Sequence, residues 1–239
     1  MKKLCLFLLA ICITMMVQAQ ATYEVGKVYE INGEKGLVYK VSANGRHGMM
    51  ISLKACPRKQ SALVSDKKMF AVAMSLSENV ENGMKNYKAV ESYIQEHGLS
   101  WSVFPVYEWV RSLGEGWYIP SKQEQMEMLS CLYEGQEFVN NVLIGKDKVM
   151  KSVYKELRDN KADLWQYPMM SSTGTSVTNK KGKTTYFRYG LSLVPSQSSG
   201  GILGAIVQIS VEATVDKIQM TSGYFLNTKF YGTRAIKSF

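Results

Sequence analysis

Few residues of this chain have the types and spacing that catalysis or metal binding requires. The two histidines, His47 and His97, belong to no H-x-x-x-H or C-x-x-C motif. Ser152 and Lys155 match the spacing S-x-x-K, but the companion motifs S-D-N and K-T-G are absent. The aspartates are scattered, so no calcium-binding loop is indicated. The sequence therefore assigns no catalytic residue, no metal ligand and no cofactor.

Residues 182–184 (GKT) match the end of a phosphate-binding loop, but Val177 occupies the position of its leading glycine. With Lys180 and Lys181 just before them, these residues instead predict a solvated hairpin tip. No nucleic-acid-binding motif accompanies the lysines. We therefore expect no nucleic-acid partner.

The candidates for ligand binding are aromatic and cationic side chains in the second half of the chain. Aromatic rings offer flat faces to a sugar or a peptide, and an arginine can pair with an anion. Loops placed on a rigid scaffold commonly carry such residues. The candidates are Trp165, Tyr167, Tyr186, Arg188 and Tyr189.

The N-terminus has the pattern of a secretory signal peptide over residues 1–19. Lys2 and Lys3 precede an apolar run over residues 4–17, which is too short to cross a bilayer comfortably as a helix. A small-residue cleavage site ends at Ala19. We expect export to the periplasm, the outer surface or the medium, with no transmembrane segment after cleavage; an uncleaved anchor is the alternative.

Cleavage would remove Cys5 and Cys12 and leave Cys56 and Cys131. An exported compartment permits these two residues to form one disulfide. Two unpaired, buried cysteines are the alternative, because sequence does not give the distance between them.

Composition indicates a folded domain, since 46% of the residues are hydrophobic. The length suits a single domain over residues 20–239. The net charge of +9 favours either solubility or an anionic partner such as an acidic glycan or a lipid head group.

Periodicity predicts strands, then helices, then strands. Turn signals at residues 32–33 and 44–45 separate three strands of an N-terminal β meander, and residues 70–76 suggest another short strand. Helical spacing follows over residues 84–94, 104–113 and 149–157, and a further helix begins at the capping box of Ser121 and Glu124. Strands return over residues 184–194, 202–211 and 233–239. This order predicts an α+β fold with mostly antiparallel sheets.

Residues 104–121 (FPVYEWVRSLGEGWYIPS) resemble a block of the bacterial major-paralogue (Fib-succ-major) family, which is allied to the Lcl C-terminal domain. Three shorter segments fit the same family in order, over residues 47–52, 170–173 and 233–239. Met170 departs from the family's usual tryptophan. The E-P-N, Q-P-D and W-N-D motifs of calcium-dependent sugar-binding lectins are also absent.

The resemblance implies a C-type-lectin-like fold in which the first and last strands pair, with two or more packed helices and a long loop region. Within the central block, Trp117 and Ile119 alternate with Tyr118, so these two are expected to face the core. The block is interpreted as scaffold, not as a binding site.

Three hypotheses of function follow. The first is an exported, non-enzymatic binding or adhesion module whose ligand is a surface glycan, peptide or protein. The second is an exported hydrolase with a carboxylate site assembled by the fold. The third is a structural component of a surface assembly, which an unpaired strand edge would favour.

Overall fold

The computed structural model describes residues 22–133, 137–139, 142–144, 151–163, 169–195, 205–212 and 232–239. The predicted signal peptide, Trp165 and Tyr167 lie outside these ranges. The strands are β1 (Val28–Ile31), β2 (Glu34–Val41), β3 (Gly48–Ser52), β4 (Glu137–Val139), β5 (Val142–Ile144), β6 (Met169–Thr178), β7 (Thr184–Pro195), β8 (Ala205–Glu212) and β9 (Ile236–Ser238). The helices are α1 (Phe70–Ser75), α2 (Gly83–Glu96), α3 (Pro105–Ser112), α4 (Lys122–Leu132) and α5 (Lys151–Asp159).

Two antiparallel sheets and the helices packed on them confirm the α+β prediction. The first sheet has the order β1-β2-β3-β9, and the second has the order β4-β5-β8-β7-β6. The N-terminal meander is present as predicted, with antiparallel pairing of β1 to β2 and of β2 to β3. None of the helices in the described ranges is both long and apolar enough to cross a membrane.

The last strand pairs with the third strand and not with the first. Ile236 lies opposite Ile51, and Ser238 lies opposite Met49. On its other side, Ile236 exchanges two backbone hydrogen bonds with Tyr118, at 2.8 and 3.0 Å. The pairing of first and last strands implied by the family resemblance is therefore wrong, because β3 and Tyr118 occupy the two edges of β9.

Residues 70–76, which were predicted as a strand, form helix α1. Phe70, Ala73 and Met74 are its buried residues. Their spacing of three and four is the spacing of one helical face, and a strand would bury alternate residues instead. A short apolar run such as this one suits either a strand or a buried helix. In the structure the run is helical, and α1 packs against β6 and β7.

The first sheet is buried on both faces. Val38 and Met50 belong to one hydrophobic cluster, whereas their neighbours Leu37 and Ile51 belong to a second. The side chains of residues 117–119, the extended run before α4, are also divided between the two clusters. Trp117 and Ile119 face the first cluster as predicted, and Tyr118 between them is buried in the second.

Candidate functional site

The residues predicted to bind a ligand do not form one surface within the described ranges. Arg188 is 4% exposed, so the structure places it in the interior instead of on a binding surface. Tyr189 is half-buried against the second cluster, with the Lys122 ammonium 4.7 Å from the centre of its ring. Alternation along β7 places these neighbours on opposite faces. Tyr186 lies on β7 opposite Ser176.

Of the two alternatives for Cys56 and Cys131, the structure has the unpaired one, because both thiols are free. Cys56 lies in the first hydrophobic cluster, whereas Cys131 packs against the second. Burial raises the pKa of the Cys56 thiol. The pKa of the Cys131 thiol is raised mainly by burial and also by the negative charge of Glu127. Both thiols are therefore poor nucleophiles at neutral pH.

The remaining chemical candidates are also accounted for. Within the described residues, no group of three or more histidine, cysteine, aspartate or glutamate side chains could hold a metal ion. Lys155, from the S-x-x-K spacing, donates to Asp159 at 2.6 Å on the exposed face of α5. His97 stacks on Tyr93 with ring centres 4.0 Å apart. The hairpin tip around Gly182 is exposed, as predicted.

A groove of about 520 Å³ lies between α2 and the segment that follows α3. We call it the α2–α3 groove. One wall is the exposed face of α2, and the other is the end of α3 with the glycine-containing loop after it. Its lining consists of Met84, Tyr87, Lys88, Glu91, Arg111, Gly114, Glu115 and Gly116.

A stack of three side chains connects the two walls. The rings of Tyr87 and Trp101 are stacked with centres 5.9 Å apart and planes 25° apart. The guanidinium carbon of Arg111 lies 5.1 Å from the centre of the Trp101 ring. An arginine that stacks on an aromatic face keeps its N–H groups available in the plane of the guanidinium. The stack therefore restrains Arg111 without using its donors.

Four charged side chains of the groove are not bonded to any other charged or polar side chain in the part of the chain that the structure describes. Within the described residues, Lys88, Glu91, Arg111 and Glu115 make no side-chain hydrogen bond and no ion pair. Other charged groups of the described residues do form ion pairs, namely Lys27 with Glu156, Lys40 with Glu127, Lys54 with Asp163 and Lys237 with Glu34. The groove thus offers two cations and two anions to a ligand.

The Tyr87 hydroxyl lies in the field of charges from both walls. Burial raises its pKa, the carboxylate of Glu91 raises it further, and the guanidinium of Arg111 opposes both effects. A neutral phenol can donate one hydrogen bond and accept others. Tyr87 therefore contributes a polar group to the groove that both Glu91 and Arg111 influence.

The loop wall of the groove is fixed from behind by the C-terminal strand. The Lys237 ammonium pairs with the Glu34 carboxylate and donates to the Glu115 carbonyl at 2.5 Å. The Trp117 indole N–H donates to Glu34 at 3.3 Å. Gly114 has φ +119°, and a Cβ there would lie 2.5 Å from a Glu34 oxygen. Only glycine suits this backbone conformation and this close approach.

The helical wall is also anchored at its first turns. Asn82 caps α2 by accepting from the Lys85 amide at 3.0 Å. The buried Asn86 amide donates to the Ser172 hydroxyl at 3.0 Å, which ties α2 to β6. Both walls are therefore held in place by contacts within the protein, which lowers the entropic cost of binding.

Sequence reasoning missed this groove. The block that was interpreted as scaffold contains three of the lining residues, Arg111, Gly114 and Glu115. Tyr87 lies earlier in the chain, on α2. The scaffold interpretation holds for the buried Trp117 and Ile119. The useful signal was the exposed arginine of that block, but the sequence does not show that α2 packs beside it.

Known proteins give no further guide to this groove. Comparisons of the chain with protein-family models, with curated proteins and with solved structures each find no match, so the family resemblance of the central block stays a prediction.

Proposed function

We propose that this chain is an exported, non-enzymatic binding or adhesion module that takes its ligand in the α2–α3 groove. The observation that carries the proposal is the set of four unpaired charges beside a stacked tyrosine and tryptophan. Unpaired charges of both signs on preformed walls are typical of a surface that awaits a complementary partner. The signal-peptide pattern supports a partner outside the cytoplasm.

A C-type-lectin-like fold belongs to the same proposal. It rests on the resemblance of residues 104–121, from which Arg111 and Glu115 reach the groove. The absence of the calcium-lectin motifs from the sequence favours a ligand held by side chains directly. A surface glycan, peptide or protein remains the expected class.

The binding experiment compares matched variants of the mature protein. Bacterial surface glycans, cell-wall fragments and peptides are screened by calorimetry against the wild type, Tyr87→Leu, Arg111→Gln and Tyr93→Leu. Tyr93 lies on the same helix but stacks on His97 outside the groove, so Tyr93→Leu is the control for Tyr87→Leu. We expect the two groove variants to lose about tenfold in affinity or more, and the control to keep it.

Circular dichroism shows whether each variant is folded. Because the Arg111 side chain is exposed, its substitution should leave the hydrophobic core intact. Equal binding by the wild type and both groove variants would remove the groove from the proposal.

The hydrolase hypothesis retains one supporting observation, because Glu91 and Glu115 both line the groove. Paired carboxylates are the usual machinery of glycoside hydrolysis. The test is release of reducing ends from cell-wall polysaccharide by the wild type and by the double variant Glu91→Gln/Glu115→Gln. Release that the double variant abolishes would favour the hydrolase; binding without release favours the module.

A further inference from the structure

We propose that the α2–α3 groove recognises a ligand bearing both a free carboxylate and a free amino group, as a short peptide with unblocked ends does. This inference rests on the proposed function, because it names the ligand of the same site. It follows from the signs and the placement of the four unpaired charges.

Arg111 supplies the carboxylate contact. Its guanidinium is held over Trp101 and makes no ion pair with another described residue. A planar guanidinium matches a carboxylate through two parallel N–H···O bonds. The contact with Trp101 restrains this guanidinium in advance, so less rotamer entropy is lost when an anion binds. Lys88, on the opposite wall, adds a second positive charge.

Glu91 and Glu115 supply the contact to the amino group. Glu91 lies one helical turn after Tyr87 on α2. Glu115 lies on the loop wall, and its backbone carbonyl accepts a hydrogen bond from Lys237. A protonated amine has three donors and is satisfied by carboxylate and phenol oxygens. A peptide α-amino group is largely protonated at neutral pH, since its ordinary pKa is about 7.7–8.0.

Opposite charges that line one groove without pairing favour a ligand that carries both signs. A neutral sugar would cover these charged groups without replacing the water bound to them, which costs free energy. A purely anionic ligand would satisfy Arg111 and Lys88 but would approach Glu91 and Glu115. A ligand with both charges avoids both costs.

Another hollow lined by described residues lacks this combination. It has a volume of about 360 Å³ and lies beside Trp117. Two of its lysines are already engaged, Lys35 with Glu30 at 3.4 Å and Lys54 with Asp163 at 3.3 Å. This hollow therefore offers a ligand fewer free charges than the α2–α3 groove does.

The experiment uses one pool of random tetrapeptides in four forms: both ends free, N-acetylated, C-amidated, and both ends blocked. Each form is titrated into ¹⁵N-labelled mature protein, and the shifts of the Gly114 and Gly116 amides and of the Arg111 side chain are followed. We expect the form with free ends to bind about tenfold more tightly than either singly blocked form.

Variants assign each end of the ligand to its wall. Arg111→Gln should abolish the difference between free and amidated carboxyl ends while preserving the preference for a free amino end. Glu91→Gln/Glu115→Gln should do the reverse. Arg58→Gln and Glu96→Gln are the controls, because both side chains are exposed outside the groove, and they should leave all four affinities unchanged.

Failure of this inference is distinguishable from failure of the proposed function. Equal affinity for all four forms, or no shift with any of them, would overturn the peptide-end inference. If a neutral glycan then moves the same signals and Tyr87→Leu abolishes the effect, the binding module stands and only its ligand changes. If neither peptide, glycan nor cell-wall fragment reaches the groove, both proposals fail.

Discussion

Three segments of the fold converge on one side chain, Glu124. Its carboxylate accepts from the Gly83 and Ser121 amides, both at 2.8 Å, and from the Tyr118 hydroxyl at 2.8 Å. The capping box predicted from the sequence is therefore present, but it also satisfies the first turn of α2. An acidic group at two helix N-termini is favoured by both dipoles.

Replacement of Glu124 by alanine should therefore lower the free energy of unfolding by about 2–3 kcal/mol, since three donors lose their acceptor. Urea denaturation followed by circular dichroism measures the change. Glu127→Ala on the same helix is the control, because Glu127 makes an exposed ion pair with Lys40 and its loss should cost less than about 1 kcal/mol. Equal costs for the two variants would contradict this assignment.

Tyr39 makes the fold sensitive to alkaline pH. It is fully buried, and its hydroxyl has no hydrogen-bond partner in the described residues. Burial raises its pKa far above the ordinary value, and the negative charges of Tyr118 and Glu124 raise it further. The folded state keeps the proton that the unfolded state loses near pH 10, so this contribution to stability is complete below pH 10 and declines above it.

Tyr39→Phe removes both the buried hydroxyl and this titration. We expect equal or slightly greater stability at pH 7, and a loss of stability between pH 10 and 11 that is smaller than the wild type's by up to about 1.4 kcal/mol per pH unit. Urea midpoints measured from pH 7 to 11 provide the comparison. An unchanged alkaline slope would show that Tyr39 is not the group that titrates on unfolding.

Helix α2 depends on a glycine at its first position. A Cβ on Gly83 would lie 2.2 Å from the Ile119 carbonyl oxygen and 2.8 Å from the Ser121 nitrogen. These are backbone atoms of the run that enters α4, so they cannot rotate away. The close contact between α2 and this run is what sets the position of the helical groove wall.

Gly83→Ala should cost about 3 kcal/mol or more, because two backbone segments must separate. Gly98→Ala, just beyond the other end of α2, is the matched control. Gly98 has φ +60° and nothing within 4 Å of an added Cβ, so only backbone strain of about 1 kcal/mol is expected. Melting temperatures compare the two, and a Gly83 variant as stable as the Gly98 variant would refute the contact.

At the scale of the whole molecule, Arg234 joins the first sheet to the segment after α5. Its guanidinium donates to the carbonyls of Ser52 at 2.7 Å, Leu53 at 3.0 Å and Asp163 at 2.6 Å. Burial lowers the pKa of Arg234 to about 10, and the nearby charge of Asp163 opposes that shift. Arg234 remains protonated at neutral pH and acts as an internal cross-link.

Arg234→Met keeps most of the volume but leaves these carbonyls without their donors, so the free energy of unfolding should fall by about 3 kcal/mol or more. The exposed Arg46→Met serves as the control and should change stability by less than about 0.5 kcal/mol. Chemical denaturation measures the free energy of unfolding of both variants. A small effect at Arg234 would mean that water replaces its contacts.

The C-terminal strand also supports the groove. Lys237→Met should free the loop wall, because the ammonium bond to the Glu115 carbonyl is lost. We expect hydrogen exchange of the Gly114 amide to accelerate by about tenfold. Lys35→Met, which removes the exposed ion pair with Glu30, should leave that exchange rate unchanged. Unchanged exchange in Lys237→Met would show that the loop holds its own position.

Local signals predicted much of the architecture. Turn dipeptides placed the meander, apolar spacing placed α2, α3 and α5, and the capping box placed the start of α4. These features depend on residues close in sequence, so they can be found without tertiary information. Residues 70–76 were mistaken because a short apolar run suits both a strand and a buried helix.

The sequence by itself determined the α+β order of elements and an N-terminal pattern typical of export. Only the tertiary structure decided that β9 pairs with β3, that Cys56 and Cys131 lie in different clusters, and that Arg188 is buried. It also decided which charged side chains share a groove, since Glu91 and Arg111 line the same groove from different helices. Strand pairing and groove composition depend on contacts between distant residues, and periodicity carries no information about such contacts.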